Sequence, residues 1–215
     1  MPDDPEQLLH ALTRALATHD VVVVNAGSSA GRDDHTPTVL AKLGDLLVHG
    51  IAVMPGKPTA VAVSREGKAI LGLPGYPVSC AVAADRLLRP LIALHLGIAP
   101  RSRARVTARV ARKLPSKVGH EEVLRVTAGL VENGWIAAPL PRGAGVITSL
   151  SRANALLSIP PLAEGLEAGQ TVALAVQAPP CPATSRYRSP SARPVIRKAP
   201  EGSVSALVLR APPRS

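Results

Sequence analysis

Four consecutive valines, Val21 to Val24, run straight into NAGSSAGRDDHTP at residues 25–37. A short, wholly apolar, β-branched run bounded by polar residues is the pattern of a strand buried on both faces, as in the parallel sheet of an α/β layer. Such a strand needs cover on each side, and the sequence before and after it supplies amphipathic segments. Upstream, Asp4 is placed to cap a helix, Pro5 suits its first turn, and Gln7 completes a capping-box spacing. Leu8, Leu9, Leu12, Ala15 and Leu16 then form one apolar stripe. Downstream, Thr36 and Pro37 open a second helix with Val39, Leu40 and Leu43 inward, and Gly44 ends it.

The next stretches, LLVHGIAV (46–53), TAVAV (59–63) and KAILG (68–72), read as strands, the last two joined by a turn at Ser64–Gly67. A long helix follows from about Pro77 to His95 and stops at Gly97, with Val78, Ala81, Val82, Leu88, Leu91 and Ile92 inward and a kink at Pro90. This order predicts an incomplete, mostly parallel sheet with flanking helices over residues 1–98. After Pro100 the rhythm becomes alternating. Ala104, Val106, Ala108 and Val110 share one strand face, opposite Arg105, Thr107 and Arg109; Leu124, Val126, Ala128 and Leu130 share another. Asn133-Gly134 is a tight-hairpin signal, and LLSIP and TVALAV add strands, so residues 101–176 are expected to form a small all-β barrel or sandwich. Aromatic residues make up 1% of the chain and Phe is absent, so both cores must be built from Val, Leu, Ile and Ala.

Charge narrows the function classes. The net charge is +10, but residues 177–215 hold seven Arg and Lys against the single acid Glu201, along with eight prolines. That stretch reads as a disordered basic tail, and with no stacking aromatics the charge does not indicate specific nucleic-acid binding. No apolar run is long enough for a membrane span, the start MPDDPEQ is acidic where a signal peptide is basic, and Cys80 and Cys181 cannot form a disulfide framework or a zinc site. The default is a cytoplasmic protein.

Ligands of open parallel sheets sit at the carboxyl ends of strands. The loop after the valines lies there: Gly27 and Gly31 let amides turn toward an anion, Ser28 and Ser29 add hydroxyls, and Asp33 and Asp34 are acceptors suited to a hard cation such as Mg²⁺. A plain strand-to-helix turn, with one Asp capping the next helix, would use the same residues. Two more loops belong on the same edge. MPGKP (54–58) presents Lys57 between prolines, and LPGYPVS (73–79) leads into a helix with Tyr76 and Ser79 exposed near its start. Together they favour an anionic, phosphorylated ligand, although Lys57 alone reads equally as a solvated loop lysine. His35 and His49 read as ordinary polar contacts, His120 has no partner visible in the sequence, and Cys80 reads as a small apolar residue.

The order NAGSSAG with Asp34 downstream, then PGKP, then LPGYPVS and a helix ending RPLIALHLG resembles the molybdopterin molybdotransferases, the MoeA-like proteins whose module also forms the E domain of gephyrin. GAGVITSLSRANALLSIPPLAEGLEAGQTV is similar to their C-terminal barrel, and the NAGSSAG, LPGYPVS and LPSKVGHEE variants look most like a subgroup often fused to a periplasmic-binding-protein-like domain. The resemblance covers about residues 2–176. It implies a MoaB/Mog-like sheet and a pterin substrate. The reaction implied is insertion of molybdate into adenylylated molybdopterin with Mg²⁺-dependent hydrolysis of the adenylate. By motif position, Asp34 is implied in cation handling and Lys57 in catalysis. Gly27, Ser29, Gly31, Pro55, Gly56, Pro58, Pro74, Gly75, Pro77 and Ser79 match the substrate loops. The sequence departs from the family pattern at Ala26, where a glycine is usual, at Tyr76, where Asn is commoner, and at His35, where Tyr is commoner. The family's first catalytic strand, its Thr-Gly-Asp-type motif and the domains through which it forms homodimers are expected to be missing from this chain. The alternatives are a non-catalytic or degenerate pterin-binding fragment and the related molybdopterin adenylyltransferase.

Overall fold

The computed structural model describes residues 4–25, 35–177 and 207–209. In chain order the first elements are α1 (Pro5–Thr18), β1 (Val21–Asn25), α2 (Thr36–Leu43), β2 (Gly44–His49), β3 (Val53–Met54), β4 (Ala60–Ser64), β5 (Ala69–Leu73), α3 (Pro77–Ala83) and, after a π-helical turn over Ala84–Leu88, α4 (Arg89–His95). There follow β6 (Arg105–Val110), β7 (Leu114–Pro115), β8 (Glu121–Val131), β9 (Gly134–Pro139), α5 (Thr148–Arg152), β10 (Ala155–Ile159), β11 (Gly165–Leu166), β12 (Thr171–Val176) and β13 (Leu207–Leu209). The chain divides into two compact units: Met1–Ile51 with Gly56–Ala99 and Arg193–Ser215, and Ala52–Pro55 with Pro100–Ala192.

In the first unit the valines alternate between two cores. Val22 and Val24 pack with Leu12 and Leu16 of α1 and with Val39 and Leu40 of α2. Val21 and Val23 face Ala83 and Leu88 on the opposite side. The strand is thus buried on both faces, and burial of each Val side chain contributes roughly 1.5–3 kcal/mol. Sheet order is β13-β1-β5-β4-β2. Among the described residues only β1 and β5 run parallel in this sheet; the other three pairings are antiparallel. The sheet is therefore mixed, where the helix-and-strand order predicts a mostly parallel one. The reason is local: β4 reaches β5 through the tight Ser64–Gly67 turn, with Gly67 at φ 78°, and a turn this short can only reverse the chain.

Several local expectations are sharpened. Asp4 caps α1 by accepting from the Glu6 amide, but Gln7 donates its side-chain Nε2 to the Asp4 carboxylate instead of closing a capping box on the backbone. The cap position of α2 is His35, one residue before the predicted Thr36, and its side chain makes no capping bond. Residues 46–53 do not form one strand. The chain breaks at Gly50, whose φ is 93°, and Val53–Met54 pairs with β8 of the second unit. Ala81, predicted inward, is exposed. Pro90 lacks the amide that an α-helix needs, and the helix meets it by widening: the Arg89 amide bonds to the Ala84 carbonyl, five residues back. Leu207–Leu209 pairs antiparallel with Val21–Val23, inside the stretch predicted to be disordered; the remainder of that prediction lies outside the described residues.

The second unit closes on itself. Its strands run β10-β12-β6-β9-β8 and back to β10, with β3 added beside β8. Leu124, Val126 and Ala128 point into the core with Val110, Leu157, Ile159 and Leu174. Leu130, predicted inward, is 68% exposed, because the end of β8 pairs only with β9 around the Asn133-Gly134 turn and runs past the barrel core.

Candidate functional site

Strand register brings the ends of the loops to one sheet edge. The last rung of the parallel pair joins Asn25 to Leu73, so the segments that follow β1 and β5 leave the sheet side by side. In the antiparallel neighbour, Ala60 pairs with Gly72, so the segment entering β4 arrives at the same edge. Three points that are distant in sequence therefore lie there: the end of β1 at Asn25, the entry to β4 after Thr59, and the end of β5 before Pro74. Of the loop that follows Asn25, Gly27, Ser28, Ser29, Gly31, Asp33 and Asp34 lie outside the described residues.

The loop entering β4 is held from beneath. Gly56 is buried at φ 134°, a conformation that favours glycine. Thr59 is fully buried, and its hydroxyl donates to the Gly56 carbonyl at 2.6 Å. The Lys57 carbonyl accepts from the amides of Ile51 (2.9 Å) and Thr59 (2.8 Å). With its backbone fixed in this way, Lys57 projects an exposed ammonium from a stiff mount, flanked by half-buried Pro58. Pro55 follows a cis peptide bond after Met54 and belongs to the β3 segment of the second unit.

After β5, Pro74 is buried, while Gly75, Tyr76 and Pro77 are exposed, Tyr76 by 45%. Ser79, expected near the surface, is only 5% exposed, because it sits on the inward side of the first turn of α3 with Val78. Cys80 is half-buried, and desolvation pushes its thiol above the ordinary 9.0. Its sulfur lies 3.5 Å from the Asn25 Nδ2, which links the end of β1 to α3. Among the described residues no three His, Cys, Asp or Glu side chains gather as a metal site; His35 precedes α2 at its cap position and His49 ends β2.

Two groups with a clear structural task are not marked by alternation or motif. Thr59 is legible only as the residue following PGKP. Arg125 falls between Leu124 and Val126 and by alternation should face solvent, yet it is 1% exposed. Its guanidinium donates to Ser149 Oγ (3.1 Å), the Pro141 carbonyl (2.6 Å) and the Gly143 carbonyl (3.3 Å). Burial lowers its pKa, and the nearby Glu122 carboxylate opposes that shift. No local signal gives this away, because the acceptors come from 16 to 24 residues further along the chain.

The chain matches two family models. Residues 1–94 match the family described as "Probable molybdopterin binding domain", and residues 107–176 match the MoeA C-terminal region, domain IV. The chain belongs to the MoeA-like molybdopterin molybdotransferase family. It is 32% identical over 171 residues to a putative molybdopterin biosynthesis protein of Methanocaldococcus jannaschii, covering 79% of this chain and 39% of that one. It is 25% identical over 172 residues to the molybdopterin molybdenumtransferase of Staphylococcus epidermidis, covering 79% and 41%. The crystal structure of the molybdopterin biosynthesis MoeA protein from Pyrococcus horikoshii superposes with a TM-score of 0.66 at 36% identity, over 81% of this chain and 41% of that one. The chain thus spans about two-fifths of the curated relatives it matches. Its family places it in molybdenum cofactor biosynthesis, and no described helix is long and apolar enough to cross a membrane.

Proposed function

We propose that the three-loop edge binds adenylylated molybdopterin, and that the chain carries out or takes part in the insertion of molybdate into that pterin with Mg²⁺-dependent release of AMP. The observation that supports the reading is the register Asn25–Leu73 and Ala60–Gly72, which sets the end of β1, the entry to β4 behind Lys57 and the exit from β5 toward α3 at one sheet edge. In this reading Lys57 meets the phosphates, Gly56 and Pro58 set its angle, and Pro74, Gly75 and Tyr76 border the ligand with Pro77 and Ser79 behind them. Pro55, Gly27, Ser28, Ser29 and Gly31 enter by motif position. Asp33 and Asp34 enter from the sequence as carboxylates, oxygen donors of the kind that suits Mg²⁺ beside phosphate; a bound cation would offset phosphate charge.

The second reading is binding at the same edge without turnover. The adenylyltransferase alternative is weakened by the match of residues 107–176 to a MoeA barrel. Purified chain incubated with adenylylated molybdopterin, molybdate and Mg²⁺ decides among them. AMP release that requires molybdate and Mg²⁺ supports the transferase, saturable binding without AMP supports the fragment, and absence of binding removes both.

A further inference from the structure

A groove in the first unit, about 430 Å³, follows α1 and is lined by Leu9, Thr13, Leu16, Lys42, Leu43 and Arg65. Positions 9, 13 and 16 recur at helical spacing, so one stripe of α1 forms a wall. The end of α2 and the turn between β4 and β5 form the other. β4 begins at Ala60, on the edge proposed for the pterin, and ends at Ser64 beside the groove. Four residues of extended chain, about 13 Å, separate the two places.

Most polar groups of these walls already have partners. The Thr13 hydroxyl donates to the Leu9 carbonyl at 2.8 Å. Ser64 Oγ accepts from the amides of Glu66 (3.3 Å) and Lys68 (3.1 Å). The Glu66 carboxylate pairs with the Lys68 ammonium at 3.7 Å, and that ammonium also donates to the Leu16 carbonyl. The Arg65 amide donates to the Leu43 carbonyl at 3.3 Å, which ties the turn to the end of α2. By contrast, the side chains of Lys42 and Arg65 are exposed and make no hydrogen bond or ion pair among the described residues. The carboxylate of the lining is thus balanced, and two free cations set the sign of the groove. Leu9 and Leu43 are only half-buried, so apolar surface stays uncovered beside those cations. The cations disfavour a metal ion or an amine, and the apolar surface disfavours a bare inorganic anion.

We propose that this groove binds a small amphipathic carboxylate, an apolar chain that carries one carboxyl group. The chain lies on Leu9, Leu16 and Leu43. The planar fork of Arg65 takes the carboxylate through paired N–H bonds, and Lys42 adds a second positive charge. A space of this volume is within the range of small-molecule sites. The site is separate from the pterin edge and does not depend on that reading.

The test is titration of the full chain with octanoate, following leucine methyl signals by NMR at fixed pH and ionic strength. Acetate, which lacks the chain, and octylammonium, which has the opposite charge, are titrated in parallel. The expected result is a saturable shift of the Leu9 and Leu43 methyls with octanoate, and affinity roughly tenfold weaker or more for each of the other two. Arg65→Gln removes the charge-assisted contact and should weaken octanoate roughly tenfold. Thr13→Phe fills the groove from α1 and should abolish the shift. Both residues are exposed, so the variants retain the fold, and unchanged amide signals away from the groove check this. Octanoate binding without saturation, equal affinity for octylammonium, or the original affinity in either variant overturns the proposal.

Discussion

Thr59 is wholly buried, and its hydroxyl bonds the Gly56 carbonyl at 2.6 Å, directly beneath Lys57. The bond converts a proline-flanked loop into a fixed platform, since the Lys57 carbonyl is itself held by two amides. Thr59→Val keeps the shape of the side chain and removes the hydroxyl. It leaves the Gly56 carbonyl short of a donor and should cost about 1–3 kcal/mol. Denaturant unfolding measures that cost. Pterin affinity should fall with it, while Thr59→Ser should restore most of both.

Gly44 is needed for a different reason. Its backbone is extended, so its conformation suits any residue, but a Cβ there would lie 2.0 Å from the Val63 carbonyl oxygen and 2.7 Å from the Ser64 Cα. Gly44→Ala must push β2 away from β4, and its cost should be about 3 kcal/mol, the upper range for forcing extra volume into a packed site. Gly67→Ala, by contrast, meets nothing within 4 Å and is strained only through its φ of 78°. A thermal-shift comparison should rank Gly44→Ala well below Gly67→Ala, and the reverse order would contradict the strand contact.

Much of this fold is legible in the sequence because it is written in local patterns. The valine run, the Asp4–Pro5 start and the Leu stripes each constrain their own element, and both faces of β1 are buried as the run implies. What is not legible is set by long-range partners. The direction of β4 is local and follows from the Ser64–Gly67 turn, but β3 leaves the first sheet for a distant partner, β8, because the chain breaks at Gly50. Alternation fails at Arg125 because a later loop supplies acceptors on the outer face of β8, and at Leu130 because the strand outruns the barrel. At the candidate site the loop order is legible, but the Thr59 support and the burial of Ser79 depend on which side of the backbone each group falls.

Arg125 tests how the barrel holds its loop. Arg125→Met removes three donated bonds and leaves the Pro141 and Gly143 carbonyls and the Ser149 hydroxyl without that partner. The expected loss is about 3 kcal/mol. Arg125→Lys keeps the charge but lacks the planar fork that reaches all three acceptors, so it should recover only part. Equal stability of the Lys variant and the original chain would show that charge, and not geometry, matters there.

Cys80 gives a pH test. Burial raises the folded-state pKa of its thiol above 9.0, so below pH 9 the protonated thiol is present in both folded and unfolded chains and the stability is fully retained. As pH rises through 9 toward the folded value, the unfolded chain loses its proton first, and stability falls. Lysines and tyrosines titrate nearby, so the measurement is the difference between the original chain and Cys80→Ala in denaturant midpoints from about pH 7.5 to about 10.5. That difference should move against the original chain as pH rises, and a flat difference would remove the thiol from the linkage.

Asp34 tests the proposed chemistry without relying on the fold. In the proposed reading its carboxylate acts in cation handling beside the pterin phosphates, where a hard divalent ion prefers carboxylate oxygen. Asp34→Ala should abolish Mg²⁺-dependent AMP release while leaving the melting temperature unchanged, and Asp34→Asn should behave like Ala because the amide lacks the charge. Lys57→Ala should instead weaken pterin binding and leave the Mg²⁺ requirement of any residual release intact. A variant at Asp34 that releases AMP at the original rate, with the original Mg²⁺ dependence, would take that residue out of the mechanism and leave Lys57 to be judged alone.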